Sequence, residues 1–293
     1  MKNNIIIKFK TYTEFILFLI FFIISSILPI SFVSFFGGTI FKIIGPFTTT
    51  NKIVIKNIIK IFPEATKSEI IKYVKESWLN TGRTFFELMK LPNIINSNKL
   101  ITIEGKEIID EIIQNDEKVI FVGIHQSNWE ILLPTIDKLG IKVGGIYRHI
   151  NNPYINKFIL YLRNKSISSK KSFYTPKGIK SAKEILNGIR ENKSFVLLID
   201  QRDSAGEIVE FFGFPSKTQT GFIKISKKYK MKIIPVENLR IKNNKFKLKF
   251  HKPILDFHTK KSDNEIMLEL HSIIEKWIKN KISHWFLQHN RFK

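Results

Sequence analysis

Cysteine is absent from this chain of 293 residues, so disulfides and metal sites built on thiolates are excluded. The sequence also lacks a Gly-x-Ser-x-Gly elbow, which together with the missing cysteine removes two common protein nucleophiles of acyl transfer. It has no glycine-rich phosphate loop, which argues against an ATP-driven reaction. It has no His-Glu-x-x-His pair, and the histidines with no ligand spacing include His149, His251, His258, His271 and His284. We therefore expect neither a metal ion nor another cofactor.

Acidic residues are the second shortage. The chain has 25 Asp and Glu residues and 48 Lys and Arg residues, which gives a formal net charge of +23. Such a field favours an anionic partner, and nucleic acid and an anionic membrane surface are both candidates. A basic residue near an anionic membrane contributes roughly 1 kcal/mol. Aromatic RNA motifs and zinc spacing are missing. We expect a membrane partner and no nucleic acid, while a solvated lysine surface accounts for part of the excess.

Charge is missing altogether between Glu14 and Lys42. Within this stretch, residues 15–36 are almost wholly apolar, and this run is long enough for about one bilayer crossing. A signal peptide is the alternative, but the run is long for one and no small-residue cleavage site follows. A buried core helix is disfavoured because apolar residues occur on all sides. Pro29 would kink the helix or convert it to a re-entrant hairpin. We predict a membrane anchor over residues 1–42 and a second domain over residues 43–293.

Beyond the anchor, segments that favour strands alternate with segments that favour helices. Apolar β-favouring runs occupy residues 100–103, 119–124, 143–147, 195–199 and 232–236. The helical segments cover residues 53–61, 66–89, 106–114, 131–139, 153–163, 177–191, 221–229 and 263–282, and a Thr66-x-x-Glu69 capping box starts the second of them. This alternation predicts an α/β fold with a mainly parallel sheet flanked by helices.

The turn after the strand at 119–124 carries the most informative motif, a histidine and a glutamate in His-x4-Glu spacing. Gly123 loosens the backbone, and His125 follows at the carboxyl edge of the sheet, where α/β proteins expose functional side chains. His125 can take a proton from an alcohol, and Glu130 can fold back from the next helix to fix its tautomer. Taken alone the pair is weak evidence, because a partly buried histidine and a solvated glutamate have the same spacing.

Further blocks surround this motif in a fixed order. They are Phe62-Pro63-Glu64, Asn80-Thr-Gly-Arg83 with Glu87, Tyr147-Arg148, Asn152-Pro153, Leu162-Arg163, Leu198-Ile-Asp200-Gln201, Val209-Glu-Phe-Phe-Gly213, Ile234-Pro235, Trp285, His289 and Arg291-Phe292-Lys293. Together with His125 and Glu130 they resemble the lysophospholipid acyltransferase superfamily, and within it the late acyltransferases of lipid A biosynthesis, which add lauroyl or myristoyl chains. The chain departs from that family at His149, where members often carry proline, and in its lysine content.

The resemblance implies a glycerolipid acyltransferase-like fold and a specific reaction. An acyl chain would move from an acyl carrier protein thioester to a hydroxyl of the lipid A precursor Kdo-lipid IVA. His125 would be the general base and Glu130 its partner, and no protein nucleophile is required because a thioester is already activated. The acyl carrier protein and an anionic glycolipid acceptor would be the partners. The location would be the cell inner membrane, with the catalytic domain at the cytoplasmic face.

Five more residues are candidates for substrate binding. Arg148 and Arg163 offer guanidinium groups suited to bidentate phosphate binding, with a surface salt bridge as the alternative. Asp200 ends a predicted strand, where it could orient Arg148, hold a sugar hydroxyl or cap a turn. Asn128 and Gln201 could hydrogen-bond the acceptor or cap turns.

Two other interpretations of function remain open. The same chemistry could serve another acceptor, such as a lysophospholipid or an amino lipid. A non-catalytic basic membrane-binding module would also explain the charge, although it would not need His125 and Glu130. The aromatic residues at 211–214 fit either an acyl tunnel or a core cluster. The acyl chain length, the acylated position and the choice between acyl carrier protein and coenzyme A as donor are not determined by the sequence.

Overall fold

A sheet of seven strands runs through the part of the chain that the computed structural model describes, which comprises residues 2–242, 244–254 and 260–293, with the backbone alone for residues 2–7 and 179. Its strands are β1 (Ile101–Glu104), β2 (Ile120–Gly123), β3 (Val143–Tyr147), β4 (Phe173–Pro176), β5 (Ser194–Leu198), β8 (Ile233–Arg240) and β9 (Phe246–Phe250). Two more strands, β6 (Glu207–Phe211) and β7 (Phe214–Thr218), form a separate antiparallel hairpin. His258, one of the histidines considered above, lies outside the described residues.

The strand order of the large sheet is β1-β9-β8-β2-β5-β3-β4. Strands β8, β2, β5, β3 and β4 run parallel to one another, β9 runs antiparallel to β8, and β1 is parallel to β9. The helices are α1 (Lys2–Ile27), α2 (Ile30–Ile44), α3 (Asn51–Ile61), α4 (Lys67–Glu87), α5 (Leu91–Asn96), α6 (Lys106–Gln114), α7 (Leu132–Lys138), α8 (Pro153–Lys165), α9 (Ile179–Arg190), α10 (Gly221–Tyr229) and α11 (Asp263–Asn280). The predicted α/β fold with a mainly parallel, helix-flanked sheet is confirmed.

Strand β2 lies at the centre of the sheet and is buried on both faces, as its continuous apolar sequence predicts. Ile120 and Val122 pack in the hydrophobic cluster on one face, and Phe121 packs in the cluster on the other, as the two-residue period of a strand requires. β2 is hydrogen-bonded to β5 in parallel, with Gly123 opposite Leu198. The residues that follow these two strands therefore meet at one edge of the sheet.

The N-terminal apolar segment forms two helices, whereas the sequence suggested about one crossing. Helix α1 ends at Ile27 and α2 begins at Ile30, because Pro29 cannot continue the hydrogen bonding of α1. The spans Lys8–Ile27 and Ile30–Phe47 are each long and apolar enough to cross a membrane, judged by length and composition alone. The two helices differ in their surroundings, since far fewer side chains of the first span are buried in the protein.

Helix α2 packs closely on α4. Its residues Gly37 and Gly38 are buried against α4, and a methyl group on Gly82 of α4 would collide with the carbonyl oxygen of Gly37. Glycine at these positions permits the close approach of the two helix backbones. Helix α4 starts as predicted, because the Thr66 backbone N–H donates to Glu69 Oε2 at 2.8 Å and the Glu69 N–H donates to Thr66 Oγ1 at 3.3 Å.

The β6–β7 hairpin and strand β4 were not predicted. Phe212 and Gly213 both have positive φ, 52° and 75°, as the two central residues of a type I′ hairpin turn require. Phe211 is fully buried and stacks on Phe292 with ring centroids 5.9 Å apart. This aromatic run therefore packs in a core cluster with the C-terminal residues, which was the alternative to an acyl tunnel.

Candidate active site

His125 and Asp200 meet at the carboxyl edge of the sheet, although they are 75 residues apart in sequence. His125 follows β2 and Asp200 follows β5, its parallel neighbour. Asp200 Oδ1 accepts from the His125 backbone N–H at 3.1 Å and lies 2.8 Å from the imidazole Nδ1. The sheet therefore brings a carboxylate to one nitrogen of the ring.

Asp200 is buried and ionised. Its side chain is 2% exposed, and its Oδ2 accepts from Trp285 Nε1 at 2.7 Å. Burial by itself would raise the pKa of Asp200, but the neighbouring His125 and the hydrogen bonds from His125 and Trp285 outweigh it and hold the pKa below its ordinary value. A carboxylate only accepts hydrogen bonds, so in the neutral form of the His125 ring Nδ1 carries the proton and Nε2 keeps its lone pair. That tautomer is the one a general base needs.

Glu130 does not orient the imidazole, which corrects the expectation from the sequence. Its two oxygens are bonded to Arg163, with Nε donating at 2.8 Å and Nη2 donating at 2.7 Å. Asn128 begins the short 3₁₀ turn Trp129–Ile131, in which Glu130 lies. Glu130 and Arg163 are 10% and 13% exposed, so the pair is largely shielded from solvent. Burial would lower the pKa of Arg163, but the Glu130 carboxylate more than offsets this and raises it.

A cavity of about 620 Å³ opens beside His125. Its polar lining includes Arg148, Arg163 and Gln201, together with Glu130. Its apolar lining comes from several elements and includes Phe18, Phe85, Leu88, Met89, Leu132, Leu133, Ile155, Ile159, Val196 and Phe286. A cavity lined mainly by apolar side chains with a few polar groups suits an acyl chain attached to a polar head.

A family model described as bacterial lipid A biosynthesis acyltransferase matches residues 3–293. The chain belongs to this family. Membership confirms the resemblance seen in the motifs and makes the protein an enzyme of the acyltransferase type, with an acyl donor and a lipid acceptor. The crystal structure of the 1-acyl-sn-glycerophosphate (LPA) acyltransferase PlsC from Thermotoga maritima is similar over 80% of this chain and 96% of that chain, with 16% sequence identity and a TM-score of 0.40. A search of curated proteins found no match.

Asn128 stabilises the turn that follows His125. Its side chain is fully buried: Oδ1 accepts from the Glu130 backbone N–H at 3.3 Å and Nδ2 donates to Glu87 Oε2 at 2.9 Å. The expected contact with the acceptor is therefore replaced by the other role considered for Asn128, a cap. Asp200 likewise does not line the cavity, because its oxygens are taken up by His125 and Trp285.

Ser127 gives the turn its direction. It has a left-handed backbone, with φ of 53°, which is unusual for a residue other than glycine. Its N–H donates to the carbonyl of His284 at 2.8 Å, and its Oγ accepts from the Arg240 backbone N–H at 3.0 Å. Burial lowers the pKa of His284 to about 3, so this histidine stays neutral beside the turn.

His289 lines the cavity close to His125, and its part in a C-terminal signature was the only sequence signal for it. Its Nε2 accepts from the Arg202 backbone N–H at 2.9 Å. Burial is the main cause that lowers the pKa of His289 to about 4, and the attraction of Asp200 only partly opposes it. Arg148 is exposed and lines the cavity, with no hydrogen bond to its side chain from the described residues. Among the described residues no group of three or more His, Asp and Glu is placed to hold a metal ion.

Proposed function

We propose that the protein is a late acyltransferase of lipid A biosynthesis that moves a lauroyl- or myristoyl-type chain from acyl carrier protein to a hydroxyl of Kdo-lipid IVA. The observation that carries the proposal is the pairing of Asp200 with His125, which lines a largely apolar cavity of about 620 Å³. A base beside an acyl-sized slot is what acyl transfer to an alcohol requires.

The reaction follows from the tautomer of His125. The acceptor hydroxyl attacks the thioester carbonyl carbon while Nε2 takes its proton, and the tetrahedral intermediate then expels the carrier thiolate. The imidazolium returns the proton to the leaving sulfur, so the ester and the free thiol are formed with no change in the enzyme. Asp200 holds the ring and stabilises its charged form. A positioned base of this kind contributes about 10²–10⁴-fold in rate.

Glu130 and Arg163 take a supporting role in this proposal. Both line the cavity, and the Glu130 carboxylate takes up Nε and Nη2 of Arg163, so the main partner of this guanidinium is a residue of the protein itself. The Arg163 guanidinium also lies 5.6 Å from the Tyr147 ring and 5.9 Å from the Tyr174 ring. The pair therefore stiffens the wall of the acyl slot by joining the catalytic turn to α8.

Arg148 and Gln201 remain the substrate-binding candidates. Arg148 lines the cavity with an exposed guanidinium, which suits a phosphate of an anionic glycolipid. Gln201 follows Asp200 and lines the same cavity, where its amide can hydrogen-bond a sugar hydroxyl of the acceptor.

We place the protein at the inner membrane with its catalytic domain at the cytoplasmic face, residues 1–42 acting as the anchor and residues 43–293 as the acyltransferase domain. Exposed apolar side chains on α1 and α2 support this, including Phe9, Ile16, Leu17, Ile20, Ile23, Ile24, Ile27, Phe32, Phe35, Phe36, Ile43 and Ile44. The net charge of +23 suits an anionic membrane surface and an acidic carrier protein.

The test is mass spectrometry of lipid A from cells with the wild-type protein, with His125→Ala, and without the protein. We expect one acyl chain to be lost both in its absence and with His125→Ala, provided that the variant is folded and membrane-bound. Unchanged lipid A with altered phospholipids or amino lipids would assign another acceptor. A folded His125→Ala protein that keeps full acylation would contradict an enzymatic role for this site.

A further inference from the structure

Helix α2 contributes a buried polar side chain to the interior of the protein. Ser34 is 0% exposed, and its Oγ donates to Glu87 Oε1 at 2.6 Å. Glu87 is the last residue of α4 and is also 0% exposed. A hydroxyl in an apolar helix that reaches a fully buried carboxylate is a specific contact, because burying either group without a partner is costly.

The same carboxylate holds the catalytic turn. Glu87 Oε2 accepts from Asn128 Nδ2 at 2.9 Å, and Asn128 Oδ1 caps the 3₁₀ turn through the Glu130 N–H. The Asn128 carbonyl accepts from Asn238 Nδ2 at 2.6 Å. Asn128 is three positions beyond His125, so a continuous set of hydrogen bonds runs from α2 to the turn that carries the base.

The negative charge of Glu87 is neutralised without Ser34. Arg240 is bonded to both oxygens of Glu87, with Nη2 donating to Oε2 at 2.9 Å, and it lies over the Phe246 ring. Ser34 instead fixes the orientation of the Glu87 carboxylate. Its hydroxyl donates to Oε1 from α2 while Asn128 donates to Oε2, so the carboxylate plane is held in one position relative to Asn128. Ser34 Oγ also lies 3.4 Å from Asn244 Oδ1, but its one proton is directed to the closer, charged partner.

The opposite face of α2 is apolar and exposed. Phe32, Phe35 and Phe36 are 50%, 63% and 49% exposed, which suits contact with lipid. One helix thus presents aromatic side chains outward and a serine inward to the support of the active site.

We propose that Ser34 is a positioning residue for the His125 turn, and that α2 is thereby part of the active-site framework as well as of the apolar N-terminal region. The role rests on the proposed acyl transfer by His125. Ser34 acts through Glu87 and Asn128 and touches neither substrate.

The experiment uses the full chain in detergent micelles, with donor and acceptor varied separately. Ser34→Ala is compared with Ser31→Ala, the same change at an exposed position of the same helix. We expect Ser34→Ala to lower kcat about tenfold, the effect of one hydrogen bond to a charged group, while both KM values change less than about twofold. Ser31→Ala should match the wild type.

Two further variants separate positioning from a general loss of stability. Ser34→Cys keeps the shape and a weak donor, so its kcat should lie between those of the wild type and Ser34→Ala, and it replaces Ser34→Ala if that protein does not fold. In Ser34→Ala with Asn128→Ala, the fall in kcat should be close to the larger single effect, because both changes act through Glu87.

Three outcomes would overturn the proposal: a Ser34→Ala enzyme with the kcat of Ser31→Ala, a rise in KM alone, or single effects that multiply in the double variant. In the first of these outcomes, a lowered melting temperature would assign Ser34 a packing role. Failure of the proposed function is recognised separately, since a folded His125→Ala enzyme would then remain active.

Discussion

The Asp200→Asn substitution tests which carboxylate orients the imidazole, because an amide cannot satisfy the donors that converge on Asp200. Oδ1 receives the His125 backbone N–H at 3.1 Å and Nδ1 at 2.8 Å, and Oδ2 receives Trp285 Nε1 at 2.7 Å. If the asparagine oxygen turns towards His125, the amide NH₂ faces the indole N–H, donor against donor. If the NH₂ turns towards His125, Nδ1 must accept, and the ring proton moves to Nε2, the atom that acts as the base.

The expected loss follows from these two orientations. Either one leaves a buried donor unsatisfied, at a cost of about 1–3 kcal/mol. The second also removes the base, and the corresponding change in a Ser-His-Asp triad lowers kcat about 10⁴-fold. We therefore expect kcat to fall by about 10²–10⁴-fold. Both KM values should change little, since Asp200 is 2% exposed and does not line the cavity.

The assay is steady-state acyl transfer by the purified full-length enzyme, combined with ¹⁵N NMR of the His125 ring to report its tautomer. Trp285→Phe is the matched control, because it removes one hydrogen bond to Asp200 and leaves the carboxylate; its kcat should fall by less than about tenfold. The reasoning is refuted if Asp200→Asn keeps the wild-type kcat while Glu130→Gln abolishes it, since Glu130 would then be the partner of the base.

Four further predictions follow from the same geometry. Glu130→Gln should lower the free energy of unfolding by about 3–5 kcal/mol, because it leaves the buried Arg163 charge unpaired; thermal unfolding would show it, and an unchanged melting temperature would mean that solvent reaches the pair. The pKa of His271 is lowered to about 4, chiefly by burial, so the unfolded chain binds the extra proton between pH 4 and 6.5, and stability falls as the pH drops through that window. His271→Gln should flatten this dependence by up to about 1.4 kcal/mol per pH unit, and an unaltered slope would contradict the assignment. Arg148→Ala should raise the acceptor KM about fivefold to tenfold, with a smaller rise in Arg148→Lys and an unchanged donor KM; a rise in the donor KM alone would assign Arg148 to the carrier protein. Deleting residues 1–28 should release part of the protein from membranes, and more at high salt, because charge attraction is screened within about 10 Å at 0.1 M; retention through high-salt washes would assign the anchoring to α2.

The sequence predicted the bounds of several strands and helices, but not which strands lie next to each other in the sheet. Strand β3 and helices α6 and α10 have the predicted bounds, because apolar period and capping residues are local signals. The adjacency of β2 and β5 has no local signal, since parallel strands are joined by long crossovers. Asp200 was therefore correctly predicted at the carboxyl edge of the sheet, but its contact with His125 was not predicted.

At the N-terminus and at the β6–β7 hairpin the structure differs from the sequence-based prediction because of helix packing and of an unusual backbone conformation. Pro29 was expected to kink one helix or to turn it back, and the break instead gives two helices of which one packs on α4. That packing depends on Gly37 and Gly82, which let the two helix backbones approach closely. The sequence does not show this role because it does not show which helices are in contact. The hairpin was missed because Phe212 adopts a left-handed turn conformation, which sequence patterns rarely assign to phenylalanine.

The turn between His125 and Glu130 directs their side chains to different partners, so their spacing in sequence does not reflect a contact between them. The left-handed Ser127 and the 3₁₀ turn after it direct Glu130 to Arg163 in the cavity wall, while the imidazole Nδ1 faces the end of β5. One turn therefore delivers two side chains to two different partners. In the proposed mechanism Asp200 keeps the ring proton of His125 on Nδ1, whereas Glu130 holds the cavity wall through Arg163. Because the two carboxylates share no partner, replacing both should give the product of the separate effects on kcat/KM, as expected for independent sites.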